Sequence, residues 1–327
     1  MWLWFVTVLG IIFLVVMDFV AVSRKPHDVK FKEAALWSVF YIGVAIAFGI
    51  GLIAWQGASI GTEFFTAYLV EKSLSVDNLF VFIIILAQFA VPTVLHQRVL
   101  LFGVVLALIL RAVFIAVGAA ALAAFSFTFV IFGLILVWTG IQLARHRDED
   151  PDPMDSKLVR MIHRRIPSTT EYDGTKLFTK LSGKKLATPL LTVMVTIGVT
   201  DLLFALDSIP ATFGVTQQAY LVFTANAFAL LGLRALYFLL KGLLDKLIYL
   251  STGLAFILVF IGIKLVLTFA HETWSSVPKI PTVASLVVIA IVLVVVAVAS
   301  IWKVRKDPSA TAHAGRLTDT PEEKESK

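Results

Sequence analysis

The chain has 327 residues, of which 59% are hydrophobic and only 15% charged, and its mean hydropathy is +0.91. Such a composition excludes an ordinary water-soluble domain, which carries about a quarter charged residues. The formal net charge of +6 leaves nucleic acid or anionic lipid as the partner of the basic residues, and the complete lack of cysteine excludes disulfides and thiolate metal sites.

A membrane-spanning helix needs roughly 20 mostly apolar residues. In chain order, nine such stretches occur, near 2–22, 34–55, 63–89, 99–122, 125–144, 188–211, 219–240, 247–269 and 281–302. The first lacks a positively charged start and an A-x-A-like cleavage site, so it reads as a retained helix and not a removed signal peptide. None alternates in polarity like a barrel strand; "VASLVVIAIVLVVVAVASIW" is continuously apolar. The fold class is therefore all-α and polytopic, with a membrane domain over 1–302. Segment 145–187 is the one long soluble stretch between spans. Its acidic, Pro-rich start reads as a linker and "SKLVRMIHRRI" as a short amphipathic helix or a solvated connector. The tail 303–327 is polar and expected to be disordered.

Lys and Arg of the connecting segments fall almost entirely in 23–33, 90–98, 145–187, 241–246 and 303–327; the intervening segments hold only Lys279. The positive-inside rule places the first set in the cytoplasm, with the N-terminus outside and the C-terminus inside. It also assigns the basic excess to anionic lipid, making the bilayer the partner and not nucleic acid.

An internal repeat is legible. "VEKSLSVDNLF" holds Glu71 and Asp77 six residues apart, and "VTDLLFALDSIP" holds Asp201 and Asp207 at the same spacing. Downstream, "LRAVF" at Arg111 answers "LRALY" at Arg234, and "FGLILVWTGIQL" answers "LAFILVFIGIKL". The repeat unit is three spans, about 63–144 and 188–269. An odd number of spans makes the second copy inverted, a transporter pattern whose binding site lies near the midplane between the halves.

Carboxylates inside a span each cost roughly 2.5–3.5 kcal/mol on insertion scales, so they are expected to face the bundle interior. Six residues on an ideal helix turn the second acid of each pair about 120° from the first. Sharing one ligand therefore predicts local breaks, at Pro210 in the sixth span and in the run Ser73, Ser75, Asp77, Asn78 in the third. With Asn226 and Ser208 the donor set is all oxygen, which suits hard divalent cations such as Mn²⁺, Ca²⁺ or Mg²⁺. All six histidines are expected in loops or the tail. Arg111, Arg234 and Asp18 are supporting charges, as ion-pair partners of the acids or, for Asp18, an interfacial anchor. Lys72 is expected to snorkel to the outer surface.

"EKSLSVDNLFVF", "DLLFALDSIPA" and "NAFALLGLRALYFLL" resemble the signature segments of the TerC family, and most of all its bacterial Alx branch, over about residues 10–302. The resemblance implies a bacterial inner-membrane protein that exports manganese, with acidic motif positions at Glu71, Asp77, Asp201 and Asp207 and with Asn78 and Ser208 beside the second acid of each pair. The expectation is a non-enzymatic secondary transporter with no resident cofactor, exporting Mn²⁺ in exchange for protons or another ion. Two alternatives remain open: an exporter of an organic solute, with Phe80, Phe82 and Phe204 forming its pocket, and a non-transporting membrane scaffold or insertion factor. No Walker-type nucleotide motif is present.

Overall fold

The computed structural model describes residues 2–23, 31–145, 169, 172–181, 184–240, 248–274, 277–278 and 280–307. Ten helices account for most of them: α1 (Trp2–Ser23), α2 (Phe31–Gln56), α3 (Ala58–Gln88), α4 (Thr93–Ala124), α5 (Thr128–Arg145), α6 (Pro189–Phe213), α7 (Ala219–Leu230), α8 (Leu233–Leu240), α9 (Leu250–Thr273) and α10 (Thr282–Lys306). Eight helical stretches are long and apolar enough to cross a membrane, with α7 and α8 forming one of them. At 31 residues α3 is long enough as well; Glu63, Glu71, Lys72 and Asp77 set it apart by composition. The chain is an all-α polytopic membrane protein. Its outer helices present apolar side chains outward, for example Phe5, Leu9 and Phe13 on α1 and Ile291, Val294 and Val298 on α10, as lipid-facing surfaces do.

Between α5 and α6 the chain forms an antiparallel hairpin, β1 (Phe178–Leu181) with β2 (Lys184–Ala187). The amphipathic stretch 156–166 and the tail beyond Asp307 lie outside the described residues. The last helix continues to Lys306, past the expected end at residue 302, because Lys303, Arg305 and Lys306 are good helix formers that complement the negative end of the helix dipole.

Helices α5 and α9 pack together most closely, and glycine makes this possible. A β-carbon on Gly262 would lie 2.7 Å from the Gly133 carbonyl oxygen and 2.8 Å from Val137 Cγ2; one on Gly140 would lie 2.9 Å from the Ala255 oxygen and 2.7 Å from Val259 Cγ2. Aligning the two repeated segments pairs Gly140 with Gly262, Gly133 with Ala255 and Val137 with Val259. The contacts are thus reciprocal between equivalent positions, as a two-fold relation between the segments requires. Small residues at a crossing let backbones approach where lipid supplies no hydrophobic drive. Gly262→Val places methyls against a backbone carbonyl, which is expected to cost about 1–3 kcal/mol or more. The unfolding midpoint of purified protein should fall clearly, while Gly10→Val, whose β-carbon meets nothing within 4 Å, leaves it in place.

The helix breaks differ from those expected. Both α3 and α6 run unbroken, α6 straight through the buried Pro210. The hydroxyls along them bond back to carbonyls one turn earlier: Ser73 to Leu69 at 2.6 Å, Thr196 to Thr192 at 2.8 Å, and Thr212 to Ser208 at 2.9 Å. Such bonds satisfy a hydroxyl without unwinding the helix. The seventh span breaks instead, between α7 and α8, where Gly232 has φ +83° and a β-carbon would meet Tyr41 at 2.9 Å. Only glycine reconciles that backbone with that approach. The break leaves the last carbonyls of α7 without intrahelical donors. Lys72 supplies one: it is partly buried and donates to the Ala229 carbonyl at 3.2 Å, so its ammonium caps a helix end and does not snorkel outward.

Candidate functional site

Asp201, Ser208 and Thr212 stand at i, i+7 and i+11 on α6, within about 20° of one line on an ideal helix. This stripe is apolar except for those three and Thr200 nearby, so it can be buried only against partners that answer its polar groups. Glu71 comes from α3 and Arg111 from α4. Arg111 is 1% exposed, Glu71 0% and Asp201 1%. The guanidinium donates from Nη1 to Glu71 Oε2 at 2.9 Å, and from Nε and Nη2 to the two Asp201 oxygens at 3.3 Å each. Nη1 also reaches Ser208 Oγ at 3.2 Å. The Thr212 hydroxyl lies 2.8 Å from the second Glu71 oxygen. The planar fork of arginine suits this double carboxylate recognition. The cluster has one more carboxylate than cation, and it joins the leading acids of both repeated segments on one buried charge.

The remaining predicted residues are placed separately. Asp207, offset around α6 from Asp201, is half-buried and lies beside Thr139 of α5, whose hydroxyl donates to the Ile135 and Leu136 carbonyls of its own helix at 3.0 and 3.1 Å. Asp77 falls within α3, with its side chain outside the described residues; Asn78 beside it is buried. Asn226 of α7 is 1% exposed, and its Nδ2 finds no hydrogen-bond partner among the described residues, as is true of Tyr68 Oη and Ser75 Oγ on α3. Unsatisfied buried polar atoms of this kind are where water supplies the missing bond. Arg234 of α8 serves another pair. It bonds both oxygens of Asp18 on α1, through Nε at 3.2 Å and through Nη2, and donates to Gln97 Oε1 at 3.3 Å. Asp18 is thus a buried partner that ties α1 to the bundle, not an interfacial anchor. Among the described residues no three His, Cys, Asp or Glu side chains converge into a ready-made metal cluster.

Several contributors escaped the sequence reading. Thr212, Gln97 and Glu63 are polar residues whose partners come from other parts of the chain: Glu71, Arg234 and Thr216. Only Thr212 left a local signal, its place on the Asp201–Ser208 stripe. His96 was expected in a loop, yet α4 begins at Thr93, directly after Pro92, and buries it. Its Nε2 lies 2.9 Å from the Val91 carbonyl and its Nδ1 3.0 Å from the Tyr237 hydroxyl. A carbonyl can only accept, so Nε2 carries the proton and both nitrogens are engaged; the ring is no free ligand. Phe82 packs in the apolar core, and the side chain of Phe80 is outside the described residues.

The sequence profile of the family described as integral membrane protein TerC matches residues 56–308. An uncharacterized membrane protein of Mycobacterium tuberculosis is 44% identical over 327 residues, covering 96% of this chain and 82% of its own. The putative membrane-bound redox modulator Alx of Escherichia coli is 36% identical over 288 residues, covering 85% of this chain and 87% of its own. The chloroplastic thylakoid membrane protein TERC of Arabidopsis thaliana is 40% identical over 247 residues, covering 76% and 63%. No solved structure matches. With the buried, cross-linked charges of α3, α4 and α6 inside the matched region, the chain belongs to the TerC family of integral membrane proteins.

Proposed function

We infer that this protein is a secondary transporter that exports Mn²⁺ across the bacterial inner membrane, with its N-terminus outside and its C-terminus in the cytoplasm. One observation carries the reading: Glu71 from the first repeated segment and Asp201 from the second converge on the same buried cation, Arg111. Two carboxylates gathered on one guanidinium can take a divalent ion in its place once they close onto it. Arg111 then acts as an internal stand-in, holding the acids together when the site is empty and withdrawing when metal arrives. Alternating access would rock the inverted three-helix segments about this point, and the reciprocal α5–α9 contacts support that symmetry. Asp77, Asp207, Asn78, Asn226 and Ser208 complete an all-oxygen path, in which Asp207 and Asp77 are ligands of the moving ion. The role is transport in exchange for protons or another ion and not enzymatic turnover. The name of the Escherichia coli relative speaks of redox modulation; thiol–disulfide chemistry is excluded here, because this chain has no cysteine.

Hard-cation selectivity is the direct test. Cells lacking their own manganese exporters should be rescued from excess Mn²⁺ by this protein by about tenfold or more in tolerated concentration, and hardly at all from Zn²⁺ or Cu²⁺, since those ions prefer imidazole and sulfur. Equal rescue from zinc would count against an all-oxygen site.

A further inference from the structure

The charge cluster has a polar continuation toward one end of the bundle, through a residue that no motif singled out. Glu63 lies two turns before Glu71 on α3, about 80° around an ideal helix and roughly 12 Å nearer the Gly57 end. Thr216, just beyond the end of α6, is 3% exposed and places its hydroxyl 2.6 Å from Glu63 Oε2. Its oxygen also accepts the Gln218 backbone N–H at 3.3 Å, so the hydroxyl proton is directed at the carboxylate. One turn deeper, the Thr212 hydroxyl lies 2.8 Å from Glu71, its proton shared between that carboxylate and the Ser208 carbonyl at 2.9 Å. Carboxylates of α3 and threonines of α6 and the turn after it thus form two rungs leading from the bundle end to Arg111. Glu71 shares Arg111 with Asp201, whereas Glu63 forms no ion pair among the described residues. A half-buried carboxylate with an ordered hydroxyl partner and no cation beside it among the described residues attracts mobile cations electrostatically.

We propose that Glu63, positioned by Thr216, is a docking carboxylate for a hard divalent cation at the Gly57 end of the bundle, where the ion pauses between solvent and the Glu71–Asp201 pair. This rests on the transport reading above. The geometry divides the labour: the inner pair binds and releases against Arg111, while Glu63 passes the ion between that pair and solvent at the external face, the exit side of an exporter and the entry side when metal is offered from outside. Hydroxyls along the route replace part of the hydration shell as the ion moves.

Mn²⁺ flux by the full-length chain, measured in right-side-out and inside-out membrane vesicles, tests this. Glu63→Gln keeps the hydrogen bond to Thr216 but removes the charge. It is expected to raise the half-saturating Mn²⁺ concentration about tenfold when metal is offered at the Gly57 face and less than about twofold at the other, a one-sided loss near 1.4 kcal/mol. Glu63→Asp should recover most of the loss. If Glu63→Gln does not reach the membrane, Thr216→Val, which leaves the charge but frees the side chain, should give a smaller shift at the same face. A purely structural role would alter both faces alike, and an equal shift at both faces or none at either overturns the proposal while wild-type Mn²⁺ flux leaves the transport reading standing. Absence of any Mn²⁺ flux in the wild type overturns both.

Discussion

Arg111→Met is expected to cut the yield of folded, monodisperse protein several-fold and to lower its unfolding midpoint sharply. The substitution leaves Glu71 and Asp201, at 0% and 1% exposure, without their shared cation. Breaking a buried pair by removing one partner typically costs about 3–5 kcal/mol, whereas replacing the whole group with neutral residues of similar size is often nearly neutral. The triple variant Arg111→Met, Glu71→Gln, Asp201→Asn should therefore regain most of the lost yield while carrying no Mn²⁺. Arg111→Lys should fall between, since an ammonium keeps the charge but loses the fork that reaches both Asp201 oxygens. Size-exclusion profiles and thermal midpoints of the purified variants decide the matter. A single Arg111→Met variant as stable as wild type would show that the cluster is not held as described.

Asp207→Asn separates ligand from ion-pair partner more cleanly than any change in the Arg111 cluster. Asp207 has Thr139 and no cation beside it among the described residues, and asparagine fits the same space. Membrane abundance should be unchanged. Metal flux should fall at least about tenfold, because a full charge is withdrawn from the path of a divalent ion in a low-dielectric interior, where 1.4 kcal/mol is already a decade in affinity. Asp77→Asn carries the same expectation for flux. Asp201→Asn, by contrast, should lower both abundance and flux, since it strips Arg111 of its bidentate partner. Undiminished Mn²⁺ flux in Asp207→Asn would remove this residue from the transport path, and undiminished flux in both Asp77→Asn and Asp207→Asn would sink the ligand role of the second acid in each pair.

Spans and helix type were legible in the sequence by itself, because each is a local property: about 20 apolar residues and a polarity that does not alternate. The buried acids and arginines were legible for the same reason, as charges standing out in apolar runs. What the sequence did not determine is which charge meets which. The spacing between Glu71 and Asp77 matches that between Asp201 and Asp207, and this invited four acids into one site through helix breaks. The unbroken α3 and α6 instead turn Asp201 toward Arg111 and Asp207 toward Thr139. Equally, the two LRA motifs look alike, yet Arg111 joins Glu71 to Asp201 while Arg234 takes Asp18 from α1. Pairing across helices depends on rotation and tilt set by the packing of many side chains, such as the Gly140 and Gly262 crossings of α5 and α9, and no local pattern encodes it. Composition and periodicity thus determined that the chain spans the membrane and carries charge inside it; tertiary packing decided that Glu71 and Asp201 share one buried cation, because only the assembled bundle brings α3, α4 and α6 within hydrogen-bond reach.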